Sequence, residues 1–254
     1  GSQRALQFGG KPILKHNARM YNCIASYIDR VRFFQECMYL LLCGCGTGFS
    51  VQQHHIDGLP NLVKEKTGTK KFVIPDSIEG WSDAVGVLVS SYFQQKDLFP
   101  EYKGKNINFD FSQIRPAGSF LSSSSGKAPG PGPLKKALAN VKSVLDAAIR
   151  KSGKRLKSID AYDVVMHSAD AVISGGVRRS ATICLFSPED EEMAKAKTGN
   201  WFHENPQRGR SNNSALLLRD ETSKIQFSKL MQSVREFGEQ GGKPVISAQL
   251  TAQK

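Results

Sequence analysis

The chain has 254 residues, of which 39% are hydrophobic and 23% charged, enough to bury a core in one large domain or two small ones. Its longest apolar run, MYLLLC at 38–43, is far too short for a membrane span. No secretory leader is seen, and Gly1-Ser2 resembles an expression scar. We therefore expect a soluble, cytoplasmic protein. The formal net charge of +12 favours anionic partners, either nucleotides or nucleic acid.

Short strand-like runs alternate with longer amphipathic helices along the chain, which predicts βα units and a largely parallel sheet. The helix that starts at Asp76 carries a D-x-x-E capping box with Glu79. No domain boundary is apparent. In chain order, we predict a strand at 20–26, a Gly-rich turn leading into a strand over 43–52, and strands at 70–75, 106–111, 180–186 and 213–218. Helices are predicted at 30–43, from residue 76, at 134–151, at 159–173 and at 224–237.

The cysteines and histidines do not form a recognisable structural site. Five cysteines is an odd number, so a disulfide framework is not expected. The C-x-C of Cys43 and Cys45 has no second pair at zinc-ligand spacing, and His54 and His55 follow a predicted strand, where neighbouring side chains point to opposite faces. We therefore expect no metal site. Cys23 is predicted inside a strand, where a buried thiol is more often a small apolar side chain than a reactive group.

Three further segments combine backbone freedom with polar groups. CGCGTGFS places glycines at 44, 46 and 48, where the backbone can turn sharply or approach a ligand. The loop from Arg115 to Pro133 offers hydroxyls, amides and Lys127, which suit phosphate oxygens but also an ordinary surface loop. SGGVRRSA at 174–181 joins a glycine pair to two arginines, which a helix C-cap followed by surface charge would equally explain.

Together these segments resemble the catalytic subunit of ribonucleotide reductases, most of all the compact, adenosylcobalamin-dependent (class II) and phage-type forms. The resemblance implies an α/β fold with parallel βα units, the N-terminal half of a ten-stranded barrel, with residues 1–254 forming one barrel-half domain. The matching segments, in collinear order, are HNARMYNC, LLCGCGTGFSVQ, DSIEGW, FDFSQIRPAGSFL, GPGPL, SGGVRRSA and RSNNSA.

The resemblance implies a substrate site built around Cys23. This cysteine matches the barrel thiol that, with a partner from the second half of the enzyme, reduces the 2′-carbon of a ribonucleoside di- or triphosphate. The resulting disulfide is reduced again by an external dithiol such as thioredoxin. Asn22 and Gly46 would line the substrate pocket, and Arg178 would contact the substrate.

The resemblance also implies control by a deoxynucleoside triphosphate (dNTP) effector. Asp29 would bond the effector deoxyribose; an aspartate there is also favoured as a helix N-cap, and both roles can coexist. Arg115 would bind the effector phosphates. The stretch from Ser119 to Lys127 would form the first specificity loop, and Gly175 and Gly176 belong to the second, which links effector identity to substrate choice.

The sequence lacks the family's N-x-C-x-E motif, which carries the thiyl-radical cysteine, and it lacks the second redox cysteine. We therefore expect part of a reductase that is inactive without its C-terminal half, with adenosylcobalamin as the radical source, and located in the host cytoplasm if phage-encoded. The chain is expected to pair with that half or to form a homodimer. The alternatives are a stand-alone deoxynucleotide-binding or complementing module, and a basic nucleic-acid-binding protein, for which no aromatic–basic platform is found.

Overall fold

The computed structural model describes residue 6 and residues 9–120, 127–173, 182–218 and 220–237. Its strands are β1 (Cys23–Tyr27), β2 (Gly46–Ser50), β3 (Thr69–Val73), β4 (Asn106–Asp110), β5 (Thr182–Phe186) and β6 (Ser211–Ala215). Its helices are α1 (Lys11–Lys15), α2 (Arg32–Leu42), α3 (Gln53–Ile56), α4 (Ile78–Ser90), α5 (Gly132–Ser152), α6 (Ser158–Ile173), α7 (Glu191–Ala194), α8 (Trp201–Glu204) and α9 (Lys224–Phe237). Short 3₁₀ turns cover Asn17–Met20, Pro100–Tyr102 and Pro206–Arg210.

The described strands form two parallel sheets. The larger sheet has the order β1-β2-β5-β6, and β3 pairs with β4 in a separate two-stranded sheet. Parallel neighbours need long crossover connections, and α2 provides the connection from β1 to β2. The predicted α/β class with parallel βα units is therefore confirmed.

One face of the four-stranded sheet packs against helices. The ring of Phe49 on β2 lies 6.0 Å from that of Phe33 on α2 and 6.5 Å from that of Tyr162 on α6. All three side chains are buried, and burying one large aromatic side chain contributes about 1.5–3 kcal/mol. In two of the predicted helices, apolar residues spaced three and four apart predict an inward face, and the structure buries them, namely Phe34, Cys37, Met38 and Leu41 on α2 and Leu138, Val141, Leu145 and Ala148 on α5.

The N-terminus of α4 differs from the predicted capping box. Ser77 is the N-cap residue, and its side chain accepts a hydrogen bond of 3.0 Å from the backbone N–H of Gly80. Ser77 has the extended backbone that an N-cap requires, so the cap lies one residue later than predicted and the helix begins at Ile78. The prediction of Asp76 as the cap is wrong, because its carboxylate is bonded to Arg115 instead.

The two adjacent histidines also differ from the prediction, because they lie in the short helix α3 and not in extended chain. Their rings are 3.9 Å apart, and His55 Nδ1 lies 2.9 Å from the hydroxyl of Ser50. Within the described ranges, no group of three potential metal ligands is found. No described helix is long and apolar enough to cross a membrane.

Candidate functional site

The four-stranded sheet has one open face. Side chains alternate along a strand, so Cys23, Ala25 and Tyr27 share one side of β1, and all three are exposed. On β5, Ile183 is 48% exposed while its neighbour Cys184 is fully buried on the helix-covered side. An exposed isoleucine in the middle of a parallel sheet is unusual, because such sheets are normally covered on both faces. The open face is therefore the surface on which a ligand or a further part of the fold can lie.

Cys23 is the first residue of β1 and its side chain is exposed, so the expectation of a buried cysteine inside a strand is wrong. It projects from the face that no described helix covers. The other four cysteines are buried, and burial raises the pKa of the Cys37 thiol to about 12 and that of Cys43 to about 11. Since the thiolate is the reactive form, buried thiols of this kind are inert. Cys23 is thus the accessible thiol of the chain.

Asn22 and Gly46 adjoin Cys23 in the structure, and their predicted place in a substrate pocket stays a prediction. Gly46 lies opposite Cys23 in the β1–β2 register, and its N–H donates a 2.8 Å hydrogen bond to the carbonyl of Asn22. Two residues along β2, a Cβ added to Gly48 would be 3.5 Å from the Cβ of Ala25, which is an ordinary contact. Packing within the chain therefore does not require glycine at 48. The bare backbone beside Cys23 leaves room for a ligand.

Asp29 lies beyond the carboxyl end of β1, in the turn before α2. Its carboxylate accepts a 2.7 Å hydrogen bond from Arg30, which also reaches Glu36 at 2.5 Å. Helix α2 begins at Arg32 with Val31 as the N-cap residue and without a side-chain cap. Asp29 is therefore not the helix cap, and that alternative is wrong.

Arg115, Ser119 and Lys127 lie together at the base of the predicted first specificity loop. Arg115 Nε donates to Asp76 Oδ2 at 2.5 Å, and one terminal nitrogen of Arg115 lies 3.3 Å from the carbonyl of Phe120. Phe120 and Lys127 form an antiparallel bridge, and the hydroxyl of Ser119 donates to the carbonyl of Pro116 at 2.9 Å. The base of the loop is thus a closed hairpin with Arg115 attached to it.

The predicted second specificity loop, with Gly175, Gly176 and Arg178, lies outside the described residues, as do residues 121–126 of the first loop. Their assignment to effector and substrate therefore stays a prediction.

A cavity of about 860 Å³ lies at the carboxyl ends of β2, β5 and β6, beneath α9. This is the side of a parallel sheet on which α/β proteins usually bind ligands. Lys197 in its wall is 6% exposed and donates to the carbonyl of Ser211, and burial lowers the pKa of this lysine to about 8. Nothing in the sequence marks Lys197, which stands in an ordinary polar run. Other lining residues are Gln52, Phe186, Asn213 and Leu217.

Comparison with known proteins matches this chain to one enzyme family. Residues 54–145 match the family model described as the insertion domain of B12-dependent ribonucleotide reductase. This range contains β3, α4, β4 and the first part of α5. An adenosylcobalamin-dependent ribonucleoside-triphosphate reductase of Lactobacillus delbrueckii subsp. bulgaricus is 30% identical over 233 residues, which cover 79% of this chain and 30% of that protein. A probable enzyme of the same description from Dictyostelium discoideum is 32% identical over 67% of the chain and 21% of its own length.

The fold is similar as well. A crystal structure of a B12-dependent (class II) ribonucleotide reductase superposes with a TM-score of 0.68 and 25% sequence identity, over 78% of this chain and 33% of the other. The chain therefore spans between about a fifth and a third of the length of the proteins that it resembles.

Proposed function

We propose that this chain, which belongs to the family of B12-dependent ribonucleotide reductases, forms part of such an enzyme. It supplies one redox thiol and the effector-binding elements. The reaction is the reduction of ribonucleoside triphosphates, or diphosphates, to 2′-deoxyribonucleotides. The observation that carries this proposal is Cys23, an exposed thiol that lies opposite Gly46 on the open face of a parallel sheet.

In this reaction Cys23 acts with a second cysteine that the rest of the enzyme provides. The two thiols supply two electrons and two protons, the 2′-hydroxyl leaves as water, a C–H bond replaces the C–O bond, and the thiols become a disulfide. An external dithiol such as thioredoxin then reduces the disulfide by thiol–disulfide exchange. The exposure of Cys23 supports this role, because both the substrate and the partner thiol must reach its sulfur.

The sequence contains no N-x-C-x-E motif, so the cysteine that starts the radical reaction must come from outside these 254 residues. We therefore propose that the C-terminal half of the reductase covers the open face, and that this chain without it does not turn over. Association through the open face also accounts for the exposed Tyr27 and Ile183, which water would otherwise surround.

The effector proposed for this chain is a dNTP, with Arg115 and Lys127 binding phosphate and Asp29 bonding the deoxyribose. Arg115 supports this assignment because its Nε is fixed by Asp76 and its guanidinium carries further N–H donors that suit phosphate oxygens. Ser119, Gly175 and Gly176 would belong to the specificity loops.

Adenosylcobalamin is the cofactor in the names of the related enzymes, and we propose it as the radical source of the whole reductase. It would supply the radical that the thiol chemistry requires. The cavity beneath α9 is not lined by Cys23, so its position gives no reason to place the cofactor there. We therefore assign no residue of this chain to the cofactor.

Calorimetric titration of the purified chain with dATP, dTTP and dGTP tests the effector proposal. At least one nucleotide should bind, and Arg115→Gln should weaken binding about 10- to 100-fold, as expected for the loss of charge-assisted hydrogen bonds. Arg150→Gln, an exposed change near the far end of α5, serves as the control and should have no effect. If no nucleotide binds to the folded chain, or if both variants bind equally, the effector role is wrong.

The redox role is tested by combining the chain with the remaining part of the enzyme, adenosylcobalamin and a dithiol. Cys23→Ser should abolish formation of deoxynucleotides, whereas Cys37→Ala should retain it, because Cys37 is buried in the core. Undiminished turnover by Cys23→Ser would exclude this cysteine from the reaction.

A further inference from the structure

The segment that leads into Cys23 is fastened by a second cysteine. Cys45, the residue before β2, is 3% exposed, and its sulfur lies 3.3 Å from the carbonyl oxygen of Ala18 and 3.4 Å from that of Tyr21. A thiol has one proton, so it donates to these two carbonyls in a shared or alternating way. Both carbonyls belong to the short stretch that ends at Asn22, directly before Cys23.

The same two segments are joined by the backbone. The N–H of Gly46, next to Cys45, donates to the carbonyl of Asn22 at 2.8 Å, and this bond is where the β1–β2 pairing begins. Cys45 and Gly46 together therefore hold three carbonyls of the stretch 18–22. The carbonyl of Ala18 also accepts a 3.1 Å hydrogen bond from the N–H of Tyr21, so the thiol of Cys45 adds to a backbone turn that is already formed within this stretch.

Cys45 does not lie on the open face with Cys23. Its side chain is buried, whereas that of Cys23 is exposed, and Cys23 is in register with Gly46 and not with Cys45. Cys45 therefore acts on Cys23 through the backbone of residues 18–22. This contact also distinguishes Cys45 from Cys37, which lies on the apolar face of α2 within the core.

We propose that Cys45 is a positioning residue for Cys23. Its S–H fixes the carbonyls of Ala18 and Tyr21, which sets the point at which β1 begins and thus the direction in which the Cys23 thiol projects. The inference rests on the proposed redox role of Cys23, because a thiol that must meet both a ribose carbon and a partner sulfur has to be held in place. A hydroxyl can replace the S–H as the donor, and an apolar side chain cannot.

The test compares Cys45→Ala, which removes the donor, with Cys45→Ser, which keeps one, and with Cys37→Ala, the same truncation at another buried cysteine. Amide hydrogen exchange at Gly46 reports the bond to Asn22. The rate of alkylation of Cys23 by iodoacetamide, followed across pH by peptide mass spectrometry, reports the thiol itself. In Cys45→Ala, exchange at Gly46 should become about five- to tenfold faster, the equivalent of one net hydrogen bond.

Alkylation of Cys23 in Cys45→Ala should be faster with an altered pH profile, and both measurements should stay near wild type in Cys45→Ser and Cys37→Ala. The proposal is overturned if Cys45→Ala leaves both measurements unchanged, or if Cys37→Ala alters them equally. If Cys45→Ala does not fold, Cys45→Ser decides, because a serine variant with fast exchange at Gly46 contradicts a donor role. Exchange at Gly46 and alkylation of Cys23 are measured without enzyme turnover, so they test the contact of Cys45 independently of the redox role. The redox role itself is refuted by the other experiment, if Cys23→Ser remains active.

Discussion

The ion pair between Arg208 and Asp163 should be the polar contact on which the β6 end of the sheet most depends. Arg208 Nε donates to Asp163 Oδ1 at 2.9 Å and a terminal nitrogen donates to Oδ2 at 2.6 Å, so two parallel bonds join the 3₁₀ turn before β6 to α6. The other terminal nitrogen donates to the carbonyl of Ala196 at 2.9 Å. The two side chains are 14% and 12% exposed, so the pair is almost removed from water.

Asp163→Asn keeps the shape of this contact and removes its charge, which leaves the Arg208 guanidinium buried without a counter-ion. Breaking one partner of a buried pair costs about 3–5 kcal/mol, and the residual exposure places this case near the lower end, at about 3 kcal/mol. For a chain of this size, 1 kcal/mol corresponds to about 2–4 °C, so Tm should fall by about 6–12 °C.

Urea unfolding followed by circular dichroism measures the loss in free energy of unfolding. An unaltered m-value checks that the same transition is observed in the variant. Asp170→Asn is the matched control, because Asp170 bonds Arg210 at 2.9 Å in the same region, but the two side chains are 33% and 38% exposed. Solvent screening should limit the loss there to about 1 kcal/mol or less. Equal losses in the two variants would refute the argument from burial.

Three further predictions concern α4, the cysteines and pH. Gly80→Ala should lower the free energy of unfolding in urea by about 2 kcal/mol, because the new Cβ would overlap the carbonyl oxygen of Pro75. Gly132→Ala is the control and should not lower it, because a Cβ there has nothing within 4 Å. An unchanged free energy of unfolding in Gly80→Ala would contradict the close approach of Pro75 and Gly80. Ellman's reagent at pH 8 should react rapidly with one thiol per chain, Cys23, since the other four cysteines are buried, and a second fast thiol would contradict this. Burial lowers the pKa of His167 below 6.5, so the folded chain takes up this proton less readily than the unfolded chain, and stability should fall as the pH drops below 6.5. His167→Gln should reduce that loss between pH 7 and 5 in the same unfolding assay, and an identical pH dependence in the variant would refute it.

The sequence predicted the secondary structure well where the apolar residues repeat with a clear period. The inward faces of α2 and α5 follow directly from residues spaced three and four apart, and α9 was predicted with the bounds that the structure has, 224–237. Alternation of strands and helices predicted the parallel sheets for the same reason, because a crossover helix is what joins parallel neighbours.

Local signals failed where two of them competed over a few residues. Asp76 and Ser77 can each cap a helix, and the sequence favoured Asp76 because of its spacing to Glu79. The structure selects Ser77, since Asp76 bonds Arg115, which lies 39 residues further along the chain. Likewise, nothing in the sequence indicates that the segment containing His54 and His55 turns into a helix directly after β2.

The candidate site divides in the same way. An ordered set of short motifs carried the resemblance to the reductase family, and by that resemblance the sequence alone predicted Cys23, Asn22 and Gly46 as the residues to consider. Whether Cys23 is buried or accessible depends on which face of the sheet the helices cover, and the contact of Cys45 with the carbonyls of Ala18 and Tyr21 joins segments 24 or more residues apart. Exposure and long-range contact are properties of packing between distant segments, so the tertiary structure alone decided them.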